Sequence, residues 1–431
     1  MRVDLAFGKT GLTVELPEGF QYQVLEARSA RPLPDWHASL DAALDAPIGA
    51  PPLAELARGK HTAAISVCDI TRPAPNAKTL PFILRRLHQA GLRAEGITIV
   101  IATGLHRAAT AEEIRQICGP EIAANYRVLN HDARNLAQHR SLGTTRSGTP
   151  VYIDERFLAA DLHLTLGFIE PHLMLGFSGG RKLVAPGLAA QETIKVLHSP
   201  KFMRDHRAVE GSTADNPLHR ELLEIARMAR HDFILDVALA LDRSIAGVFA
   251  GDPEQAHRCG VEFVSQAMIE TLAEPVDAAI TSAAGYPLDL TFYQTVKGIT
   301  AASHIVKPGG RILVAGACEE GAGAPEFRHM ILEGKSDRQF LDDIAGAPVT
   351  VDQWQLEKLA LVTTKQQVLY FVPGLPAEYH PHLWGSSYRG VQSAIEALTA
   401  SLAPDANIAV IPEGPYVLAS LRAQVEMAPV S

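Results

Sequence analysis

Leu162-His-Leu-Thr-Leu166-Gly167-Phe-Ile-Glu170-Pro-His172-Leu-Met-Leu-Gly176-Phe177-Ser178-Gly179-Gly180-Arg181-Lys182 joins an apolar run of strand length to a lone histidine, a glycine-rich turn and two cations. In open α/β sheets ligands bind beyond the carboxyl ends of the strands, so the polar tail of such a run is where chemistry is expected. Glycines let backbone N–H groups close around an oxyanion, and Arg181 and Lys182 supply neutralising charge. The spacing is not that of a Walker A loop, because neither Ser nor Thr follows the lysine. Downstream, Ala189–Leu197 reads as a helix that carries His198 at its C-terminal end.

Outward from this stretch, short β-rich runs alternate with longer helical segments, the pattern of an α/β fold with mainly parallel sheets. The expected strands are Thr62–Val67, Ile97–Ala102, Leu162–Leu166, Ala278–Ser282, Arg311–Val314, Val368–Val372 and Ile408–Ile411. Thr110-Ala-Glu-Glu113 is a capping box, which starts a helix. The pattern breaks near Thr271–Val276. Two α/β domains are therefore expected, 1–272 and 273–431, facing each other across an active-site cleft.

Composition narrows the function classes. The 431 residues are 47% hydrophobic and 20% charged with a net charge of −9, which argues against a nucleic-acid or anionic-membrane partner. A small anionic substrate needs only one local positive pocket. Cys68, Cys118, Cys259 and Cys318 are scattered with no Cys-x-x-Cys pair, so reduced thiols in a cytoplasmic protein are expected. The charged N-terminus is unlike a signal peptide, and no run approaches the ~20 apolar residues of a membrane span.

Three expected strands of the first domain end in polar clusters: Cys68-Asp69-Ile70-Thr71-Arg72, Ala102-Thr-Gly-Leu-His106-Arg107 and Gly167-Phe-Ile-Glu170-Pro-His172. One sheet edge should then present Asp69, Arg72, His106 and His172 together. Arg72 is either a loop arginine paired with Asp69 or a planar fork that grips a carboxylate. His106, just past a strand and a glycine, is well placed for proton transfer near neutral pH. His198 either favours the negative end of a helix dipole or binds a metal. Without a His-x-x-x-His partner, a protein-only site would have to recruit distant residues such as His106 and His172; if those two are an acid/base pair, His198 is a solitary ligand whose co-ligands come from an organic group. In the second domain Tyr293, Gln294 and Lys297 open a helix, with Tyr293 and Lys297 on one face, as an amphipathic surface or as a set of substrate donors.

These residues in this order resemble the nickel-dependent lactate racemases and their 2-hydroxyacid racemase relatives. The resemblance is carried by Asp69-Ile-Thr-Arg-Pro73, Ala102-Thr-Gly-Leu-His-Arg107, Gly176-Phe-Ser-Gly-Gly-Arg-Lys182, Gly285-Tyr-Pro-Leu-Asp289, Tyr293-Gln-Thr-Val-Lys-Gly298 and Asp352-Gln-Trp354, and it runs almost end to end. It implies a nickel-pincer nucleotide bound covalently to Lys182, with His198 as the single protein ligand to nickel in a square-planar site. It implies cofactor contacts from Asp69, Thr71, Phe177, Ser178, Gly179 and Gly180. It makes His106 and His172 the acid/base pair, Arg72 the carboxylate clamp, Gln294 and Lys297 further substrate contacts, and Tyr293 and Trp354 lining residues. The implied reaction racemises or epimerises a 2-hydroxyacid by reversible hydride transfer through a 2-keto acid, after loading by cofactor-synthesis enzymes.

Some positions depart from the lactate enzymes. Ile70 replaces a histidine, Leu173-Met174 replace bulky aromatics, and Leu290-Thr291 stand where polar amides occur, which bears on the substrate's side chain. Two other readings use the same residues. One is a zinc-dependent hydrolase or lyase built on His106, His172 and His198; the other is a non-catalytic protein that binds a small hydroxyacid.

Overall fold

The computed structural model describes residues 1–400 and 402–421. Two compact units divide the chain, and they interleave. A central unit takes Ser29–Leu197 and Asp215–Ala267, and a terminal unit takes Met1–Arg28, His198–Ala214 and Met268–Ser431. A single boundary at 272/273 is therefore replaced by two excursions of the N-terminal half into the terminal unit.

The first excursion has a backbone cause. Gln21–Val24 pairs in parallel with Asn407–Ile411, so an N-terminal strand completes the C-terminal sheet. That sheet has six strands in the order Ser386–Ser387, Gln367–Phe371, Val306–Ala315, Val276–Ser282, Asn407–Ile411 and Gln21–Val24, all pairs parallel. The second excursion is His198–Ala214, held by the helix Gln353–Thr363 through bonds described below.

The central unit has its own six-stranded sheet, ordered Ile245–Gly251, Phe233–Leu239, Leu162–Phe168, Ala63–Cys68, Ile97–Ala102 and Arg127–Asn130. Only the edge strand Ile245–Gly251 runs antiparallel to its neighbour. Ala63–Cys68 and Leu162–Phe168 are buried along their whole length, as parallel strands covered on both faces must be. Ile65, Val67, Ile99, Ile101, Leu164 and Leu166 form the middle of the core. All seven expected strands are present, within a few residues at each end. The capping box also forms: the Thr110 hydroxyl accepts from the Glu113 N–H while Glu113 accepts from the Thr110 N–H. Among the described residues no helix is long and apolar enough to cross a membrane.

Candidate active site

Ala63–Cys68 lies between Ile97–Ala102 and Leu162–Phe168, so the loops after these three strands leave the same sheet edge side by side. The loop after the first folds back on itself: the Thr71 N–H and hydroxyl both donate to Asp69 Oδ1, at 3.2 and 2.7 Å. The other carboxylate oxygen, Oδ2, lies 2.7 Å from His106 Nδ1 on the neighbouring loop. Burial alone would raise the Asp69 pKa. The hydrogen bond and charge of His106, then the Thr71 hydroxyl and the Arg72 charge, outweigh it and hold the carboxyl below its usual range. Asp69 orients His106, and of the two readings of Arg72 the pairing with Asp69 is limited to the Arg72 backbone N–H donating to the Asp69 carbonyl at 3.2 Å, among the bonds between the described residues.

His106 is the exposed member of its pair, with 49% of its side chain accessible against 6% for Asp69. His172 sits half-buried on a short hairpin, Pro171–His172 against Gly176–Phe177. Its Nδ1 accepts the Met174 N–H in a long contact of 3.4 Å. Cys68 closes the strand as a buried thiol pushed up to about 12 by burial; the charges of Asp69, Arg72, Asp236 and Lys182 all act on it. Arg72 follows this same strand, and the Ser66 hydroxyl on it donates to the carbonyl of Leu183, the residue after Lys182, at 2.8 Å.

The glycine-rich turn differs most from expectation. Arg181 is fully buried and turned into its own loop. Its Nη2 donates to the carbonyls of Phe177 and Leu175 at 2.9 and 3.2 Å, and its Nη1 reaches those of Gly179 and Ser178 at 3.3 and 3.4 Å. Beneath it the buried Asp236 takes the Gly180 N–H at 2.8 Å. The Ser178 hydroxyl donates to the Phe168 carbonyl at 2.8 Å and accepts from the Glu170 N–H at 3.0 Å. Phe177 has no exposed surface. Gly179 has φ +85, and a Cβ there would meet Asp236 Oδ2 at 2.6 Å. These groups are spent on the shape of the loop, and Arg181 does not face outward as an anion clamp. Lys182, the next residue, is half-buried.

Asp236 was not singled out from the sequence, although a lone aspartate inside Phe-Ile-Leu-Asp-Val-Ala-Leu is a visible signal. Burial raises its pKa to about 7, against the pull of the Gly180 N–H and Arg181. His257, also buried, has Nε2 2.7 Å from Arg181 Nη1.

His198, Tyr293, Gln294, Lys297 and Trp354 all lie in the terminal unit, so the presumed metal ligand leaves the unit that carries His106 and His172. The His198 and Trp354 rings are 4.4 Å apart between centroids. The Trp354 indole N–H donates to the Tyr293 hydroxyl at 3.1 Å. Tyr293, Gln294 and Lys297 occupy the first turns of the helix Phe292–Ser303. Gln294 Oε1 is buried and has no hydrogen-bond partner among the described residues. No group of three or more His, Cys, Asp or Glu among the described residues is disposed to hold a metal ion.

The chain matches two family models, the lactate racemase N-terminal domain over residues 7–211 and the lactate racemase C-terminal domain over residues 271–419. It is 34% identical over 422 residues to a lactate racemase of Thermoanaerobacterium thermosaccharolyticum, covering 96% of this chain and 98% of the relative. A lactate racemase of Lactiplantibacillus plantarum is 34% identical over 421 residues, with the same coverage of 96% and 98%. The structure of the T. thermosaccharolyticum lactate racemase apoprotein superposes with a TM-score of 0.91 at 33% identity, covering 97% of this chain and 100% of that one. A Thermotoga maritima protein shares the fold, with a TM-score of 0.64 at 19% identity over 86% of this chain and 96% of that one.

Proposed function

The chain belongs to the lactate racemase family, a family of isomerases, and from that premise we propose that it interconverts the enantiomers of a 2-hydroxyacid, lactate being the first substrate to test. The observation that carries this reading is the 2.7 Å Asp69–His106 pair, beside the end of the strand that leads into Arg72 and bonds the backbone next to Lys182.

With Nδ1–H given to Asp69, His106 keeps a lone pair on Nε2 and is set to accept a proton. His172 accepts a backbone N–H at Nδ1, so its neutral ring carries the proton on Nε2. The two rings rest in complementary tautomers. One takes the substrate's hydroxyl proton and the other returns a proton to the keto oxygen. Loss of the Cα hydrogen as hydride leaves a planar 2-keto acid, and return to its opposite face inverts the centre. Arg72 is the fork for the substrate carboxylate, with Gln294 and Lys297 as further contacts and Tyr293 and Trp354 as lining.

The residues fit a tethered nickel-pincer nucleotide in part. Lys182 suits the anchor, because its amine is mounted on a loop fixed by Arg181 and Asp236. His198, half-buried against Trp354, suits a single imidazole ligand. Asp69 and Thr71 border the same sheet edge. Phe177, Ser178, Gly179 and Gly180 do not suit a phosphate cradle; they shape the mount instead. When bound, the group supplies nickel and a pyridinium carbon that accepts the hydride.

The test is to co-produce the chain with the cofactor-making enzymes and measure intact mass, nickel content and racemisation of D- and L-lactate, beside Lys182→Ala. A mass increase absent from the variant, with about one nickel per chain, supports the reading. Unmodified Lys182, no nickel and no turnover, in a host that loads another member of the family, overturns it.

A further inference from the structure

One face of the helix Gln353–Thr363 grips the His198–Ala214 segment at His198, Met203, Arg204 and Ala208. Trp354, Glu357 and Lys358 stand at i, i+3 and i+4 and so share that face. The Trp354 ring lies 4.4 Å from that of His198. Glu357, whose side chain has no exposed surface, takes Arg204 Nε at 2.7 Å. Lys358 is buried, and its Nζ donates to the carbonyls of Met203 and Ala208, at 3.0 Å each. Those carbonyls close the short helix Pro200–Met203 and the turn after it, which begin two residues beyond His198.

A buried ammonium is costly unless it is hydrogen-bonded, and a surface loop needs no such fastening. A buried Lys358 spent on two backbone carbonyls, next to a buried Glu357 spent on Arg204, fixes the segment's direction within one helix turn. The residue at the head of that segment is His198. Trp354, one turn before Lys358, sets its ring.

We propose that Lys358, together with the Glu357–Arg204 pair, is a positioning residue for the metal: it holds the segment that aims the His198 imidazole. This rests on the reading of His198 as the nickel ligand. Neither Lys358 nor Glu357 is assigned any contact with substrate or cofactor; they act through the backbone of residues 200–208.

The test uses full-length loaded protein and reads nickel loss to a chelator, with the mass increment at Lys182 as a check that the organic group stays in place. In parallel, amide hydrogen exchange is followed across residues 198–214 in the unloaded chain. Lys358→Met keeps the stem and removes the donors. It should speed exchange in that segment, leave the central unit's exchange unchanged and weaken nickel retention by roughly 10- to 100-fold, as loss of groups that orient a metal ligand does. Lys358→Arg, which keeps donors and charge, should restore part of the retention. Unchanged nickel retention in Lys358→Met overturns the proposal, whatever the exchange shows. His198→Ala is the separate arm for the underlying reading: if it keeps nickel as the parent does, His198 is not the ligand and the proposal falls with it. Should Lys358→Met fail to fold, the paired change Arg204→Gln with Glu357→Gln keeps a neutral hydrogen bond, loosens the same segment and is held to the same outcomes.

Discussion

Arg181→Met separates two roles for the cation in the glycine-rich loop. The guanidinium is buried and binds the carbonyls of Phe177 and Leu175 at 2.9 and 3.2 Å, with longer contacts to Gly179 and Ser178. Methionine fills much of the volume but donates nothing. Each well-made bond that leaves a buried carbonyl dry costs about 1–3 kcal/mol, and the longer pair adds less, so a loss of about 4 kcal/mol is expected. Asp236 below would also lose its nearest buried cation, although burial already raises its pKa to about 7 and lets it meet that loss by protonation. Trp36 lies in the central unit, whereas Trp354 and Trp384 lie in the terminal one. In a Trp354→Phe, Trp384→Phe background its emission follows the unfolding of the central unit in urea. A fall of about 4 kcal/mol moves the midpoint down by roughly 1.5 M. The measurement is made on unloaded chain, so no cofactor contributes. An unchanged midpoint, with cofactor attachment weakened after loading, would refute the structural assignment and return Arg181 to the role of an anion clamp.

Asp69→Asn should keep the fold and lower kcat by about 100-fold or more with little change in KM, since it removes the charge that orients and supports His106; equal loss in KM would point to substrate binding instead. The same carboxyl has a lowered folded pKa, so its stabilisation is present above about pH 4 and disappears as pH falls through the folded value. The stability gap between wild type and Asp69→Asn should therefore narrow in acid, and a gap constant from pH 7 to pH 3 would contradict the pairing. Glu210 in the terminal unit behaves oppositely: burial raises it to about 7 despite Lys297 and Lys358. Its protonated form is favoured by folding, so wild type should lose stability as pH rises from about 4.5 to about 7, by about 3 kcal/mol in all, and Glu210→Gln should not. Parallel pH–stability curves for the two proteins would sink that reading. Gly179→Ala places a Cβ at φ +85, ψ 175, 2.6 Å from Asp236 Oδ2; a cost above the ~1–3 kcal/mol of that glycine-only backbone region alone is expected, read from the Trp36 transition.

Much of the candidate site's edge was legible because it depends on strand ends, and strand ends are local. Apolar runs such as Ile97–Ala102 stop where polar residues begin, and adjacency of three parallel strands then gathers Asp69, Arg72, His106 and His172 without further information. The unit boundaries were not legible, because Gln21–Val24 pairs with Asn407–Ile411 across nearly the whole chain and nothing local marks that partnership. The grip on His198–Ala214 had a signal that periodicity hid. Glu357 and Lys358 are the only charges in the helix Gln353–Thr363, and charges there mean either an exposed stripe or a buried pairing with partners far along the chain. Which holds is decided by Arg204, Met203 and Ala208.

The loop of Gly179-Gly180-Arg181-Lys182 shows the same limit at single-residue scale. As sequence, two neighbouring cations after two glycines read as one positive patch. In the fold, Asp236 arrives from 56 residues along the chain to take the Gly180 N–H, and four carbonyls of the loop turn inward to meet Arg181. The segment Gly180–Leu183 is a 3₁₀ turn, in which successive side chains point about 120° apart. With Arg181 drawn into the interior, Lys182, as the next residue of the turn, leaves the backbone in a different direction. The two neighbouring cations are thus not one positive patch: Arg181 holds the loop closed from inside, while Lys182 is only half-buried. A change at Arg181 should for that reason reach Lys182 through the backbone of the turn they share.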